Sequence, residues 1–472
     1  MNPKTLGIFA GAAAICGVAL FLVVKGGGGT TLPPPPPPPP LDNPNTPTPQ
    51  SDVTFGDRVK AHATLSQSYV LSATSSEVFL NVDLTAAAAG GARQPFSAAL
   101  VIDRSGSMAG AKIDSARDAA LGFLQRLRDD DQIAIVTYGS DVSADLSLSR
   151  VGNVRGQAQR IIASIDAGGG TNISGGLNRA IRELSSGQGA RRVMLISDGR
   201  PTEGERSPQR LAAIAGDGRE TGLSFSSLGV GLDYDENVME GIALRGGGGF
   251  YHLRRAHEMA NILGKEFKAV ETMVASSVRL RVAPGPRIQI SEVFGYDLSR
   301  EGNAVVIHLG DLSQGEQRRL VARATLNAGA PALESFANLG LTYRVPATGS
   351  GESASAGLSI AATNQAQLVT SSFKPDVVVA AHKVEAQAAV QESMRSMAKQ
   401  DRGAAVAKIQ RAKARLYEAA KAAPAAAAPA LQAEAEAFGA MEQKAADVSF
   451  DSDDGKDWVK STRARSFSSQ RE

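Results

Sequence analysis

Two apolar runs in this 472-residue chain each end in a carboxylate. Phe96 to Ile102 (Phe-Ser-Ala-Ala-Leu-Val-Ile) leads into Asp103-Arg104-Ser105-Gly106-Ser107, and Val193 to Ser197 leads into Asp198-Gly199. Runs of that length without polar alternation read as strands buried on both faces of a parallel sheet. Open α/β sheets place their ligand sites just beyond the carboxyl ends of such strands. Asp, Ser and Gly are also ordinary turn residues, so the pentapeptide alone decides little. A third loop, Gly168-Gly169-Gly170-Thr171-Asn172, sets a threonine hydroxyl just before the helix-like segment Ile173–Leu184. Asp103, Ser105, Ser107, Thr171 and Asp198 then offer five oxygen ligands from three loops. Hard divalent cations such as Mg²⁺ want oxygen ligands in a near-octahedral shell at about 2.1 Å.

The segment around these loops alternates between strand and helix patterns. Lys112–Leu127 carries Ile113, Ala116, Ala120, Phe123 and Leu127 at helical spacing. Gln132–Tyr138 and Leu223–Val230 read as buried strands, and Arg155–Ile165 as a helix. Gly231–Glu236 is a loop before the helix Asn237–Leu244; Phe250–Leu253 is a further strand and Ala256–Val270 a last helix. This alternation predicts a doubly wound, mainly parallel α/β sheet covered on both faces. Asp233 and Asp235 lie in a strand-end loop, where they either border the site or cap the next helix.

The order and spacing of the five oxygen residues resemble the metal-ion-dependent adhesion site of the von Willebrand factor A domain family. The likeness runs from roughly Phe96 to Val270. It implies Mg²⁺ (or Mn²⁺ or Ca²⁺) at the site, with Ser105 and Ser107 as direct ligands. Thr171 and the two aspartates would bind directly or through water. It also implies that an Asp or Glu carboxylate from a protein partner fills the open position, without bond cleavage. The plainer reading of the same residues is three strand-end turns with no metal.

Strands of another kind flank this segment. Val78, Leu80, Val82 and Leu84 share one face of a period-two stretch, and Val278–Val282 and Leu320–Leu326 alternate in the same way. Ala304–Leu309 and Leu339–Val345 add further strands. Such alternation marks half-buried antiparallel strands. One β-sandwich, residues 53–92 and 275–365, interrupted by an A domain at 93–274, is the simplest account; two independent β units are the other. The layout resembles bacterial anchored A-domain proteins and, more loosely, the inter-α-inhibitor group. From about Pro375 the chain turns rich in Ala, Gln, Lys and Glu, and three apolar stripes predict a helical hairpin or bundle over 376–447. Residues 448–472 read as a solvated, disordered tail. The Asp451–Gly455 run in it lacks EF-hand spacing.

At the other end, Leu6 to Val24 is 19 residues without a charge, bracketed by Lys4 and Lys25. That suits one membrane span of about 20 residues. A cleaved signal peptide is the competing reading, with Ala12-Ala13-Ala14 as the small-residue site, but cleavage there leaves a hydrophobic core of only Leu6–Gly11. Residues 1–25 are therefore expected to be an anchor, followed by a Gly/Pro-rich linker at 26–52. In that linker Pro33–Pro40 forms a polyproline rod of about 25 Å. The expected setting is a bacterial cytoplasmic membrane, single-pass, with the folded part on the periplasmic or extracytoplasmic side. Fifty Lys and Arg balance 48 Asp and Glu, so no basic face argues for nucleic acid. Cys16 is the single cysteine, which rules out an intramolecular disulfide.

The expected function is metal-dependent capture of a protein partner, without enzyme activity. A structural scaffold or an auxiliary subunit of a membrane complex is the alternative. A metal-dependent hydrolase needs a general base near the metal. Of His62, His252, His257, His308 and His382, only His252 and His257 fall in the α/β segment, at or beyond its last strand.

Overall fold

The computed structural model describes residues 48–87, 93, 95–423, 425–449 and 451–469. Its centre is a six-stranded sheet in the order Gly247–Leu253, Leu223–Val230, Arg191–Ser197, Ser97–Asp103, Gln132–Tyr138, Val142–Arg150. All neighbours pair in parallel except the last two, which form an antiparallel edge. The expected α/β class is the one found.

Alternate residues of the Ser97–Asp103 strand serve two cores. Ala98, Leu100 and Ile102 face α1 (Ala111–Arg126), α2 (Val151–Ala163) and, further along the chain, the helix Met259–Glu271. Ala99 and Val101 face α3 (Ile173–Glu183), α4 (Pro208–Glu220) and α5 (Glu236–Gly246). Met259–Glu271 is α6. A strand buried on both sides cannot alternate in polarity, and the uninterrupted Phe-Ser-Ala-Ala-Leu-Val-Ile run is the result. The chain leaves this strand in one direction for Gln132–Tyr138 and returns on its other side at Arg191–Ser197. The strand order therefore reverses between Ser97–Asp103 and Arg191–Ser197, the two strands that end in the candidate carboxylates.

Two further sheets enclose a separate core. One has the order Asp52–Phe55, Val59–Leu65, Ser75–Ala86, Gln317–Asn327, Ile288–Val293. The other has the order Asp297–Glu301, Ala304–Ser313, Met273–Pro284, Ala332–Arg344, Gly351–Thr363, Tyr69–Leu71. Val78, Leu80, Val82 and Leu84 from the first sheet join Leu280, Val282, Leu339 and Leu341 from the second in one buried cluster. Ser75–Ala86 pairs antiparallel with Gln317–Asn327 along eleven positions, from Gln317↔Thr85 to Asn327↔Ser75. Strands on either side of the α/β unit in sequence are thus direct neighbours, and the α/β unit is inserted between them.

After the short helix α7 (Ala366–Ser371), three helices α8 (Pro375–Ala398), α9 (Arg402–Ala422) and α10 (Ala428–Asp447) pack around Val390, Met394, Ile409, Leu416, Leu431 and Phe438. The expected disordered tail is corrected: Asp453–Ser469 is a helix, α11. Trp458 and Val459 join the helical core, and Phe467 reaches the α/β core, edge-to-face with Phe250 at 6.0 Å. Its charges are answered by residues more than 200 positions away. Arg463, fully buried, donates to Glu240 Oε2 at 2.7 Å, and Lys460 donates to the Tyr234 carbonyl at 2.8 Å and to Glu236 at 2.6 Å. With its apolar residues few and its charges many, the segment resembles a solvated tail until those partners are in place.

Among the described residues no helix is long and apolar enough to cross a membrane. The expected span at Leu6–Val24, Cys16 and the linker up to residue 47 lie outside the described residues.

Two measurements check this packing. Glu240 is buried, which opposes its charge, yet Arg463 and Arg395 hold its carboxyl below the ordinary range. Replacing Arg463 by Ala leaves Arg395 as its only ionic partner among the described residues and should destabilise the docked helix by about 3 kcal/mol. Trp458 is the single tryptophan of the chain and sits in α11, so denaturant titration followed by its fluorescence reads the loss directly. His308, at the seam between the α/β unit and the β sheets, is held down to about 4 by burial and by the neighbouring Arg219. The unfolded chain binds more protons than the folded one between that value and about 6.5, so stability falls as pH drops through this window. The variant His308→Gln should lose that part of the slope in thermal melts at pH 7, 5.5 and 4.

Candidate functional site

Asp103 is the last residue of its strand, and Asp198 follows Ser197 at the end of the adjacent one; both side chains are fully buried. A buried carboxylate without compensating charge or hydrogen bonds is costly, so its partners show what the pocket is built around. Asp103 Oδ1 accepts the Ser105 N–H at 2.8 Å, and Oδ2 accepts the Ser197 hydroxyl at 2.6 Å. Burial raises the Asp103 pKa, those hydrogen bonds oppose the rise, and the Asp198 charge adds to it. Asp198 Oδ1 accepts the Ser107 hydroxyl at 2.8 Å, while Oδ2 pairs with the Lys112 ammonium.

The hydroxyls converge on the same point. Ser105 Oγ and Ser107 Oγ are 3.1 Å apart. A Cβ added at Gly199 would lie 3.4 Å from Thr171 Oγ1 and 3.5 Å from Ser107 Oγ, so both oxygens border the space that Gly199 leaves open. Thr171 is 4% exposed, and its hydroxyl has no hydrogen-bond partner among the described residues. The structure therefore brings all five sequence-predicted oxygen residues together. No group of three or more His, Cys, Asp or Glu side chains suited to a metal occurs among the described residues. This donor set is of a different kind, with two carboxylates and three hydroxyls. Such an all-oxygen set fits a hard divalent cation that keeps part of its water.

Backbone contacts lock the loops to one another. Gly106 N–H donates to the Gly169 carbonyl at 3.0 Å, Gly168 N–H to the Arg104 carbonyl at 2.6 Å, and Thr202 Oγ1 accepts the Thr171 N–H at 2.9 Å. Asn172 caps α3, its side chain accepting the Gly175 N–H at 2.9 Å and the Ser174 hydroxyl at 3.0 Å. Gly204, at φ +64°, approaches so closely that a Cβ there would fall 2.4 Å from Asn172 Oδ1. Tyr138 lies beneath the loops, fully buried; burial first and the Asp103 charge second push its pKa well above the usual value, so it stays neutral.

Three contributors were not named from sequence. Ser197 steadies Asp103, and its position directly before Asp198 was the available signal. Lys112 neutralises Asp198 from the first turn of α1. Thr202 orients Thr171 from a loop without motif character. Asp235 caps α5, accepting the Asn237 N–H at 2.8 Å, and Asp233 is exposed. His252 is occupied elsewhere, between the Tyr234 hydroxyl and Asp457, each at 3.0 Å, and His257 is exposed.

Residues 99–265 match the family model of the von Willebrand factor type A domain. An uncharacterized protein of Synechocystis is 25% identical over 270 residues, covering 54% of this chain and 63% of its own length. The human inter-alpha-trypsin inhibitor heavy chain H4 is 31% identical over 175 residues, 35% of this chain and 18% of that protein. In both cases the chain spans less than two thirds of the relative's length. The solved structure of a von Willebrand factor type A protein from Catenulispora acidiphila superposes with a TM-score of 0.64 at 19% identity, covering 79% of this chain and 88% of the other. Over the matched residues the α/β unit of this chain has the von Willebrand factor type A fold.

Removing the α3 cap tests the mutual locking of the loops. Asn172→Ala should cost about 1 kcal/mol of stability, seen as a lower melting temperature, because the first turn loses its side-chain acceptor.

Proposed function

We propose that the protein binds a protein partner through a divalent cation, Mg²⁺ in the first instance, held by Asp103, Ser105, Ser107, Thr171 and Asp198. The observation that carries this reading is the convergence of three hydroxyls and two fully buried carboxylates where the strand order reverses. The cation would supply Lewis acidity toward an oxygen ligand; the chain's residues hold and orient it. Counting Lys112, the pocket carries one net negative charge, and a divalent ion turns it to one net positive charge. A site of that sign attracts one carboxylate, which favours an Asp or Glu side chain on the partner. Neither histidine of the domain is hydrogen-bonded to one of these five residues: His252 is engaged by Tyr234 and Asp457, and His257 is exposed. The membrane tether at residues 1–25 and an extracytoplasmic position for the folded part belong to the same proposal. They rest on the uncharged Leu6–Val24 stretch.

A pull-down with the folded part, in Mg²⁺ and in EDTA, should recover partners in the first arm only. Identical partners in both arms would favour a metal-independent scaffold, and release of a cleaved product would favour a hydrolase. Calorimetry on Asp103→Ala combined with Asp198→Ala should show no Mg²⁺ binding. Deleting residues 1–25 should move the protein from the membrane to the soluble fraction on ultracentrifugation.

A further inference from the structure

Lys112 lies in the first turn of α1 and is the only cation among the described residues in contact with either buried carboxylate of the pocket. Its ammonium pairs with Asp198 Oδ2 and lies 3.4 Å from the Ser107 carbonyl. It thus lies against Asp198 and Ser107, two of the residues assigned to the cation. The two partners differ in freedom. Asp198 is fully buried at a strand end, whereas the Lys112 side chain is 29% exposed. The neighbouring loop borders that side chain at Gly231, whose φ is +76°: a Cβ built there would stand in ordinary contact, 3.5 Å from Lys112 Cε and 3.6 Å from Nζ.

We propose that Lys112 is a built-in competitor for the metal, an ammonium that neutralises Asp198 while no divalent ion is bound and withdraws toward solvent when one is. The proposal rests on the metal reading above and adds its regulation. Without Lys112 the metal-free pocket would hold two adjacent, fully buried carboxylates with no cation in contact. With it the domain keeps its folded loops when unloaded. The same charge then opposes loading. A divalent ion and an ammonium about 5 Å apart repel enough, even in a water-like dielectric, to weaken metal affinity by on the order of tenfold. Lys112 therefore trades metal affinity for a pocket that keeps its loops in place while empty.

The test is Mg²⁺ calorimetry on the full chain, with melting temperatures in EDTA and in excess Mg²⁺. Lys112→Met should bind Mg²⁺ about tenfold more tightly, melt lower than wild type in EDTA, and gain more from added Mg²⁺. Lys112→Gln, which keeps a donor for Asp198, should tighten binding as well. Lys112→Arg, which keeps the charge, should stay within about twofold of wild type. A Met variant that folds only in Mg²⁺ supports the proposal. Unchanged or weaker Mg²⁺ affinity in both uncharged variants overturns the competitor role and leaves the metal site standing. No Mg²⁺ binding in any of the proteins, wild type included, overturns the metal reading and this proposal with it.

Discussion

Two carboxylates with no exposed surface, at the ends of neighbouring parallel strands, are the constraint around which this domain is arranged. Asp103 and Asp198 are brought side by side by the direct pairing of Ser97–Asp103 with Arg191–Ser197. Burial makes their charge expensive, so the surrounding loops supply what solvent would have supplied. The Ser105 amide and the hydroxyls of Ser107 and Ser197 do so by hydrogen bonds, and Lys112 does so by charge. The strand-order reversal is what opens a crevice at this point rather than elsewhere along the sheet edge.

The rest of the molecule holds that crevice in place without entering it. The α/β unit is inserted between strands that pair with each other along eleven positions, so its two ends are tied to one β core. On the opposite flank α11 lies along the edge strand Gly247–Leu253 and the start of α5. Its buried polar contacts (Lys460 with Glu236, Arg463 with Glu240, Asp457 with His252) make the last described residues part of the domain's support.

Much of the α/β unit and of the pocket was legible in the sequence, for a physical reason. Strands buried on both faces produce uninterrupted apolar runs, and Gln132–Tyr138 and Leu223–Val230 begin and end where those runs do. A carboxylate at a strand terminus inherits that clarity, which is why Asp103 and Asp198 stood out. The antiparallel edge strand Val142–Arg150 escaped notice because its sequence, Val-Ser-Ala-Asp-Leu-Ser-Leu-Ser-Arg, is half solvent-facing. Helix α4 followed a loop of turn residues and was passed over with it. The α11 helix was read as a tail because its charges find partners only through tertiary contacts, which no local pattern reports. The same holds for Lys112, whose place on a helix face is ordinary until the fold sets Asp198 opposite it.

The central claim is that these five oxygens surround one divalent cation. Anomalous diffraction from crystals of the protein grown with Mn²⁺ tests it most directly. The account predicts one strong peak within about 2.2 Å of the Ser105 and Ser107 hydroxyls, with Thr171, Asp103 and Asp198 bound directly or through one water. Ordered loops with no peak between them, or a peak held by other residues, would contradict it.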